Sequence, residues 1–231
     1  KIQDGCNGIC SYCIVPAVRG PSRSLPADAA QARFAALVQS GCREIVLTGI
    51  HLGAYGLDLS PQMTLSGLLK RLAADHAASS IRIRLSSIEP NQFNEHLIAC
   101  LAQSRIVCPH LHIPLQSGDP AILQAMRRPY TPKTVEALLA AVLDAMPEAN
   151  IGLDVLVGFP GETERQFQNT LALINRYAVG YLHVFPYSRR QGTPAACRQD
   201  QVPEAVKKAR VQAARKIAAE KKHNFIAAYR G

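Results

Sequence analysis

The sequence predicts an α/β protein, a partial TIM-like (β/α)6 barrel followed by one basic C-terminal helix. Three observations lead there. Short runs rich in Val, Ile and Leu alternate with longer helical patterns, which argues for βαβ units and a parallel sheet. Polar, Gly-containing loops follow the apolar runs, at the end where parallel barrels build their sites. From Pro203 onward the pattern becomes a single long helix dense in cations.

The first strand is the stub 1–4, which leads into a cysteine loop. Further strands are expected at 44–50, 81–88, 109–115, 151–159 and 181–187. Helices fall between them. Residues 28–40 place Phe34, Leu37 and Val38 on one side, and 64–77 place Leu65, Leu68, Leu69 and Leu72. The helix at 131–146 opens with Thr131-Pro132, a capping residue followed by proline in the first turn, and carries Val135, Leu138, Leu139 and Val142. The helix at 162–177 carries Phe167, Leu171 and Ile174. The tail, 203–231, sets Val211, Ala214, Ala218, Phe225 and Tyr229 at helical spacing. Its cations are Lys207, Lys208, Arg210, Arg215, Lys216, Lys221, Lys222 and Arg230, against Glu204 and Glu220. This reads as an amphipathic helix with a solvated basic face, or as a strut beside bound RNA.

Side chains alternate faces along a strand. Ile81, Ile83 and Leu85 should therefore meet the outer helices, leaving Arg82, Arg84 and Ser86 on the other face. Asp154 lies opposite Leu153 and Val155, His110 and His112 share a face, and His183 sits between Leu182 and Val184. With Glu44, these polar residues are expected to line the inside of the barrel. There they either pair to tie the strands together or form a polar cavity for a charged cofactor and sulfur chemistry.

At 231 residues the chain can bury one large core. Lys and Arg number 26 and Asp and Glu 17, so the net charge is +9, which suits a polyanionic partner such as RNA. No run of about 18 apolar residues points to a membrane span, and no secretory signal opens the sequence. Seven cysteines is an odd count, with Cys42, Cys100, Cys108 and Cys197 scattered as packed or surface thiols. That usage is expected of a reducing cytoplasm rather than a disulfide framework.

The other three, Cys6, Cys10 and Cys13, stand in Asp4-Gly5-Cys6-Asn7-Gly8-Ile9-Cys10-Ser11-Tyr12-Cys13 at C-x3-C-x2-C spacing. Three thiolates so close on a polar loop can converge on one metal centre. Structural zinc sites usually use two distant pairs, and ferredoxin runs place a fourth cysteine nearby. Here the next cysteine is Cys42. A four-iron cluster held by three cysteines keeps one iron open for chemistry. Zinc, or three buried thiols, are the competing readings.

This spacing, with Tyr12 before the last cysteine, resembles the radical S-adenosylmethionine enzymes. Gln3-Asp4-Gly5-Cys6-Asn7, Pro16-Ala17-Val18-Arg19-Gly20, Pro114-Leu115-Gln116-Ser117-Gly118, Val157-Gly158-Phe159-Pro160-Gly161-Glu162-Thr163 and Val184-Phe185-Pro186-Tyr187-Ser188 resemble its methylthiotransferase branch. Arg84-Leu85-Ser86-Ser87-Ile88-Glu89-Pro90 and Gly192-Thr193-Pro194-Ala195 look most like the subgroup that thiomethylates threonylcarbamoyladenosine next to the anticodon of transfer RNA.

The resemblance implies that Cys6, Cys10 and Cys13 hold a 4Fe–4S cluster. Its open iron would chelate S-adenosylmethionine, and one electron would cleave the sulfonium to a 5′-deoxyadenosyl radical. The radical would take hydrogen from C2 of the substrate adenine, which a methylthio group then replaces. Tyr12 would pack beside the cofactor's adenine. Thr48-Gly49 would reach its methionine amine, and Gln116 and Ser117 its ribose. Ser86 and Asp154 complete the expected cofactor-binding set. The partners implied are tRNA and an electron donor such as flavodoxin.

The family also carries an N-terminal domain with a second cluster that supplies sulfur, and an RNA-binding β-barrel after the basic helix. Residues 1–200 are read as the partial barrel of the radical S-adenosylmethionine type and 201–231 as the helix leading to that β-barrel. A sequence that opens on Lys1 inside the cysteine lead-in is read as a fragment lacking both. Such a fragment is expected to cleave S-adenosylmethionine at most. Alternatives are a methylthiotransferase for a ribosomal protein or for isopentenyladenosine in tRNA, an iron–sulfur carrier or sensor, and a zinc-stabilised nucleic-acid-binding module.

Overall fold

Alternating apolar runs and amphipathic stretches become alternating strands and helices in the computed structural model, which describes residues 1–77 and 79–229. The expected cation Arg230 lies outside the described residues. Contacts divide the chain into two units. The first is Lys1–Asn7, Val15–Leu111 and Ala141–Ala149, and the second is Gly8–Ile14, His112–Ala140 and Asn150–Gly231.

The first unit holds β1 (Gln3–Asp4), α1 (Val15–Arg19), β2 (Arg23–Ser24), α2 (Ala27–Gln39), β3 (Glu44–Leu47), α3 (Leu65–Asp75), β4 (Arg82–Leu85) and α4 (Glu95–Gln103). β3 and β4 pair in parallel, Glu44 opposite Arg82 and Leu47 opposite Leu85. Alternation separates their faces as expected: Ile45, Leu47, Ile83 and Leu85 are buried, while Arg82 and Arg84 stand on the other side. α3 starts where Thr64 accepts the Gly67 N–H at 3.1 Å, and it buries Leu65, Leu68, Leu69 and Leu72.

The stub 1–4 departs from expectation. It is not the first strand of a parallel sheet, because β1 pairs antiparallel with β2, Gln3 opposite Ser24. Gly5, at φ 70°, turns the chain away after two residues. β2 is a two-residue polar strand with no alternation to read. α4 also went unrecognised, although Asn94 caps it by accepting the Leu97 N–H at 2.8 Å and Leu97, Cys100 and Leu101 fill its inner face.

The second unit carries a sheet in the order β5 (His110–Gln116), β6 (Asn150–Val157), β7 (Tyr181–Pro186). The unit boundary runs through β5 and through α6 (Pro132–Ala145). β6 and β7 are parallel, with Asp154 opposite His183. α5 (Pro120–Ala125) follows β5, capped by Asp119, which accepts the N–H groups of Ala121 and Ile122 at 3.0 and 3.1 Å. α7 (Glu164–Arg176) opens with a capping box between Thr163 and Gln166 and buries Phe167, Leu171 and Ile174.

α8 (Glu204–Ala228) packs on β7, β6 and α7, and its cations divide into two rows. Arg210 does not belong to the solvated basic face the sequence suggests. It is buried, and its Nη1 donates to the Glu162 carboxylate at 2.8 Å and to the Glu162 carbonyl at 2.9 Å. Lys221 donates to the carbonyls of Asn175 and Tyr177, satisfying the end of α7. Lys208, Arg215, Lys216 and Lys222 remain exposed. Among the described residues no helix is long and apolar enough to cross a membrane.

The other oxygen-bound partner of Glu162 is the Gly158 N–H, at 2.6 Å. Burial pushes this carboxyl up, against the pull of Gly158 and Arg210. Replacing Arg210 by Met leaves a buried carboxylate with its cation removed. R210M should lose about 3–5 kcal/mol in chemical denaturation near neutral pH. A carboxyl held above its unfolded value is tolerated best when protonated, so the deficit should shrink as pH falls toward the ordinary carboxylate range.

Candidate functional site

The two parts of the cysteine loop are held by different neighbours. In the first unit, Gln3 is 2 % exposed and all its side-chain bonds are inward. Its amide donates to the carbonyls of Asp4 and Gly5 and to Ser22 Oγ, at 2.8–2.9 Å. Its Oε1 accepts the His51 N–H at 2.7 Å. One side chain thus links the entry to the loop with the segment after β3. Gly49 permits this, since a Cβ there would meet Gln3 Oε1 at 2.9 Å and the Leu52 Cα at 3.1 Å. Gly5 is equally constrained, because a Cβ would fall 1.9 Å from the Pro21 carbonyl oxygen. Cys6 then donates its N–H to the Gly20 carbonyl at 3.1 Å, and its sulfur lies 3.6 Å from His51 Nδ1.

Two other polar features face the same unit. Arg84 grips Glu44 with two bonds of 2.8 and 3.2 Å, and Arg82 lies 3.5 Å from it. Arg84 holds the Glu44 carboxyl below its ordinary value. Ser86 follows β4 directly, and its Oγ is buried without a hydrogen-bond partner among the described residues. A buried hydroxyl left open in this way suits a polar ligand.

In the second unit, the loop docks on the end of α5. Ser11 Oγ donates to the Ala125 carbonyl at 2.7 Å, and the Ser11 N–H to the Met126 carbonyl at 3.0 Å. Those are orphan acceptors of a helix C-terminus. The Cys13 N–H turns back to the Cys10 carbonyl at 3.1 Å. Tyr12 sits edge-on to Phe159, with 6.4 Å between ring centroids, against a core of Ile122, Met126, Phe159 and Tyr187. Burial raises its phenol. Arg128 Nη1 donates to the Cys10 sulfur at 3.2 Å.

β5 ends at Gln116 in left-handed backbone, φ 62°, which a non-glycine residue adopts at a cost of about 1 kcal/mol or more. Ser117 next to it is fully buried, its Oγ within 3.2 Å of Thr170 Oγ1 and accepting the Asp119 N–H at 3.1 Å. Its hydroxyl therefore shapes the turn from β5 into α5. Gly118 lets that turn lie on α7, where a Cβ would come within 2.7 Å of the Thr170 Cα. On the sheet, Asp154 Oδ1 accepts from His112 Nε2 at 2.8 Å and lies 3.4 Å from His183 Nδ1, while Tyr181 Oη is 2.9 Å from His112 Nδ1. Ligand atoms of His112, Asp154 and His183 all lie within 4.8 Å of one another.

All seven cysteines are thiols; Cys6, Cys10 and Cys13 are half-buried, Cys100 and Cys108 buried, and Cys42 and Cys197 exposed. Burial pushes the thiols of Cys100 and Cys108 up, as befits packed side chains rather than ligands. The triad instead has nitrogen neighbours at two of its sulfurs, and three such soft donors within eight residues fit an iron–sulfur centre.

The fold is shared with solved structures of low sequence identity. It superposes on the radical S-adenosylmethionine methyltransferase TsrM from Kitasatospora setae with a TM-score of 0.70 and 17% identity, covering 84% of this chain and 37% of that one. Coproporphyrinogen III oxidase (HemN) from Escherichia coli gives 0.65 and 15%, covering 94% and 51%. The Radical SAM superfamily matches residues 1–174, and the chain belongs to that superfamily. Among curated proteins it is 45% identical over 212 residues to the threonylcarbamoyladenosine tRNA methylthiotransferase MtaB of Bacillus subtilis, covering 91% of this chain and 46% of that protein. It is 41% identical to MtaB of Rickettsia prowazekii, covering 92% and 50%, and 39% identical to a tRNA-2-methylthio-N(6)-dimethylallyladenosine synthase of Desulfitobacterium hafniense, covering 92% and 47%. The chain spans about half the length of these relatives.

Thr48, Gly49 and Ser86 follow their strands immediately, Gln116 closes β5, and Asp154 lies inside β6. Sequence reasoning missed Gln3 and Arg128. Gln3 stands in the Gln3-Asp4-Gly5-Cys6-Asn7 run, where it reads as lead-in to the cysteines. Arg128 is separated from Cys10 by 118 positions, and nothing local marks it. The strain at Gln116 gives a direct test: Q116G should be more stable than Q116A by about 1 kcal/mol, the reverse of the usual order of these residues. Thermal unfolding of the two variants measures it.

Proposed function

We propose that this chain is the radical-generating core of a tRNA methylthiotransferase that modifies C2 of threonylcarbamoyladenosine next to the anticodon. The observation that carries this reading is the C-x3-C-x2-C loop in a chain 45% identical to a protein of that name. Cys6, Cys10 and Cys13 are the cluster ligands. A 4Fe–4S cluster bound there supplies one electron to the sulfonium of S-adenosylmethionine.

The residues of the chain position and shield. Gln3 fixes the approach to Cys6, and Ser11 fixes the stretch that carries Cys10 and Cys13. Tyr12, on the Phe159 core, gives the cofactor's adenine an apolar wall. The open hydroxyl of Ser86, the Thr48-Gly49 turn and the strained Gln116 offer polar contacts to its methionine and ribose ends. Ser117 contributes through the turn it fixes. Asp154, held by His112, is an acceptor for a cationic or N–H group.

Substrate contact falls to the exposed row of α8, where Lys208, Arg215, Lys216 and Lys222 suit the phosphates of tRNA. Because the chain spans about half of its relatives, sulfur supply and most RNA recognition are assigned to domains beyond it. A flavodoxin-type donor in a reducing cytoplasm fits the thiol-only cysteine usage.

The test is anaerobic reconstitution with iron and sulfide, followed by dithionite and S-adenosylmethionine. 5′-Deoxyadenosine should form with the intact triad and fall to background in C10A, while no methylthiolated tRNA appears with this chain alone. A protein that takes up zinc but no iron–sulfur centre would sink the reading. Supplying the full-length protein with tRNA bearing threonylcarbamoyladenosine or dimethylallyladenosine then decides between the two named activities.

A further inference from the structure

Arg128 touches the cysteine loop from a position that no cofactor motif marks. Its place is set by backbone geometry. α5 ends at Ala125, and Arg127 takes left-handed backbone at φ 57°, which swings the next residue back toward the loop. From there Nη1 donates to the Cys10 sulfur at 3.2 Å and lies 3.4 Å from Tyr12 Oη. On the other side Nε donates to Tyr130 Oη at 2.9 Å, and the guanidinium lies 4.9 Å from the centre of the Tyr130 ring. Tyr130 in turn donates to the Pro114 carbonyl at 2.5 Å, inside β5. The Ser11 bonds to Ala125 and Met126 hold the loop against the same helix end. Guanidinium and sulfur are therefore fixed by the same short segment.

A guanidinium stays charged at any ordinary pH. A cation in hydrogen-bond contact with a ligand sulfur draws electron density from it and favours the more negative, reduced state of the centre. Lysine could supply the charge, but not a fork that reaches Cys10 and Tyr130 together.

We propose that Arg128 is a positioning residue for the metal centre, orienting the Cys10 sulfur and raising the reduction potential of the cluster that Cys10 ligates. This rests on the triad holding an iron–sulfur cluster, and the experiment separates the two. Wild type, R128M and R128K are reconstituted anaerobically. Iron and sulfide are counted, and the midpoint is read by electron paramagnetic resonance during a redox titration. The expected result is comparable iron in all three, a midpoint clearly lower in R128M than in wild type, and R128K between them with altered g-values. Equal midpoints at full iron loading would overturn the proposal and leave the triad assignment standing. A wild type that takes up no iron would instead remove the triad assignment, and the proposal with it. Should R128M fail to retain the cluster, R128K decides: a midpoint and spectrum identical to wild type overturn the role, and a lowered midpoint supports it.

Discussion

The buried carboxylate of Glu162 is the constraint on which the second unit turns. It sits at the end of the Gly-Phe-Pro-Gly-Glu run after β6, where the chain must leave the sheet without a ladder to satisfy it. Its Oε2 accepts both the Gly158 N–H and Arg210 Nη1, so the loop and α8 are closed by one oxygen. Burying a carboxylate is costly unless every lone pair finds a donor. The sequence offsets that cost at Oε2 with a left-handed glycine at 158, φ 72°, and a cation on a helix 48 residues away. Phe159 then stays in the core, where Tyr12 and Tyr187 pack on it edge-on.

The same logic repeats on a smaller scale in three other loops. Each is fixed by one inward polar side chain rather than by regular hydrogen bonding. Gln3 does this for the approach to Cys6, Ser11 for the stretch from Cys10 to Cys13, and Thr170 for the turn around Ser117 and Gly118. Glycines appear at the closest approaches, Gly49 against the Gln3 side chain and Gly118 against the α7 backbone at Asn169 and Thr170. Glycine in these loops is thus a matter of clearance as much as of turn geometry.

Much of this was legible in the sequence. Apolar periodicity located five of the main strands and the five long helices to within a few residues, because those elements bury continuous faces such as Leu65, Leu68, Leu69 and Leu72. Strand alternation put Arg82 and Arg84 opposite Ile83 and Leu85, and Asp154 opposite Leu153 and Val155, since a half-buried strand has only two faces to offer. Spacing singled out the cysteine triad as the candidate metal centre. What escaped were features set by distant partners. β1 reads as a strand, yet its partner is a two-residue segment with no pattern. Arg210 sits among cations on a basic helix and looks like one of them until Glu162 is in place. Arg128 owes its position to left-handed backbone at Arg127, which no propensity announces.

The division of α8 into two rows of cations has a consequence for its behaviour in electrolyte. Dissolved ions screen exposed charges over about 8–10 Å at moderate ionic strength but reach a desolvated pair poorly. Arg210 and Glu162, with side chains 6% and 1% exposed, belong to the second kind, and the outer lysines to the first. Rising salt should therefore strip a polyanion from the outer row while the helix itself keeps its seat on the sheet. Hold on any polyanion and attachment to the sheet are thus decoupled within one helix.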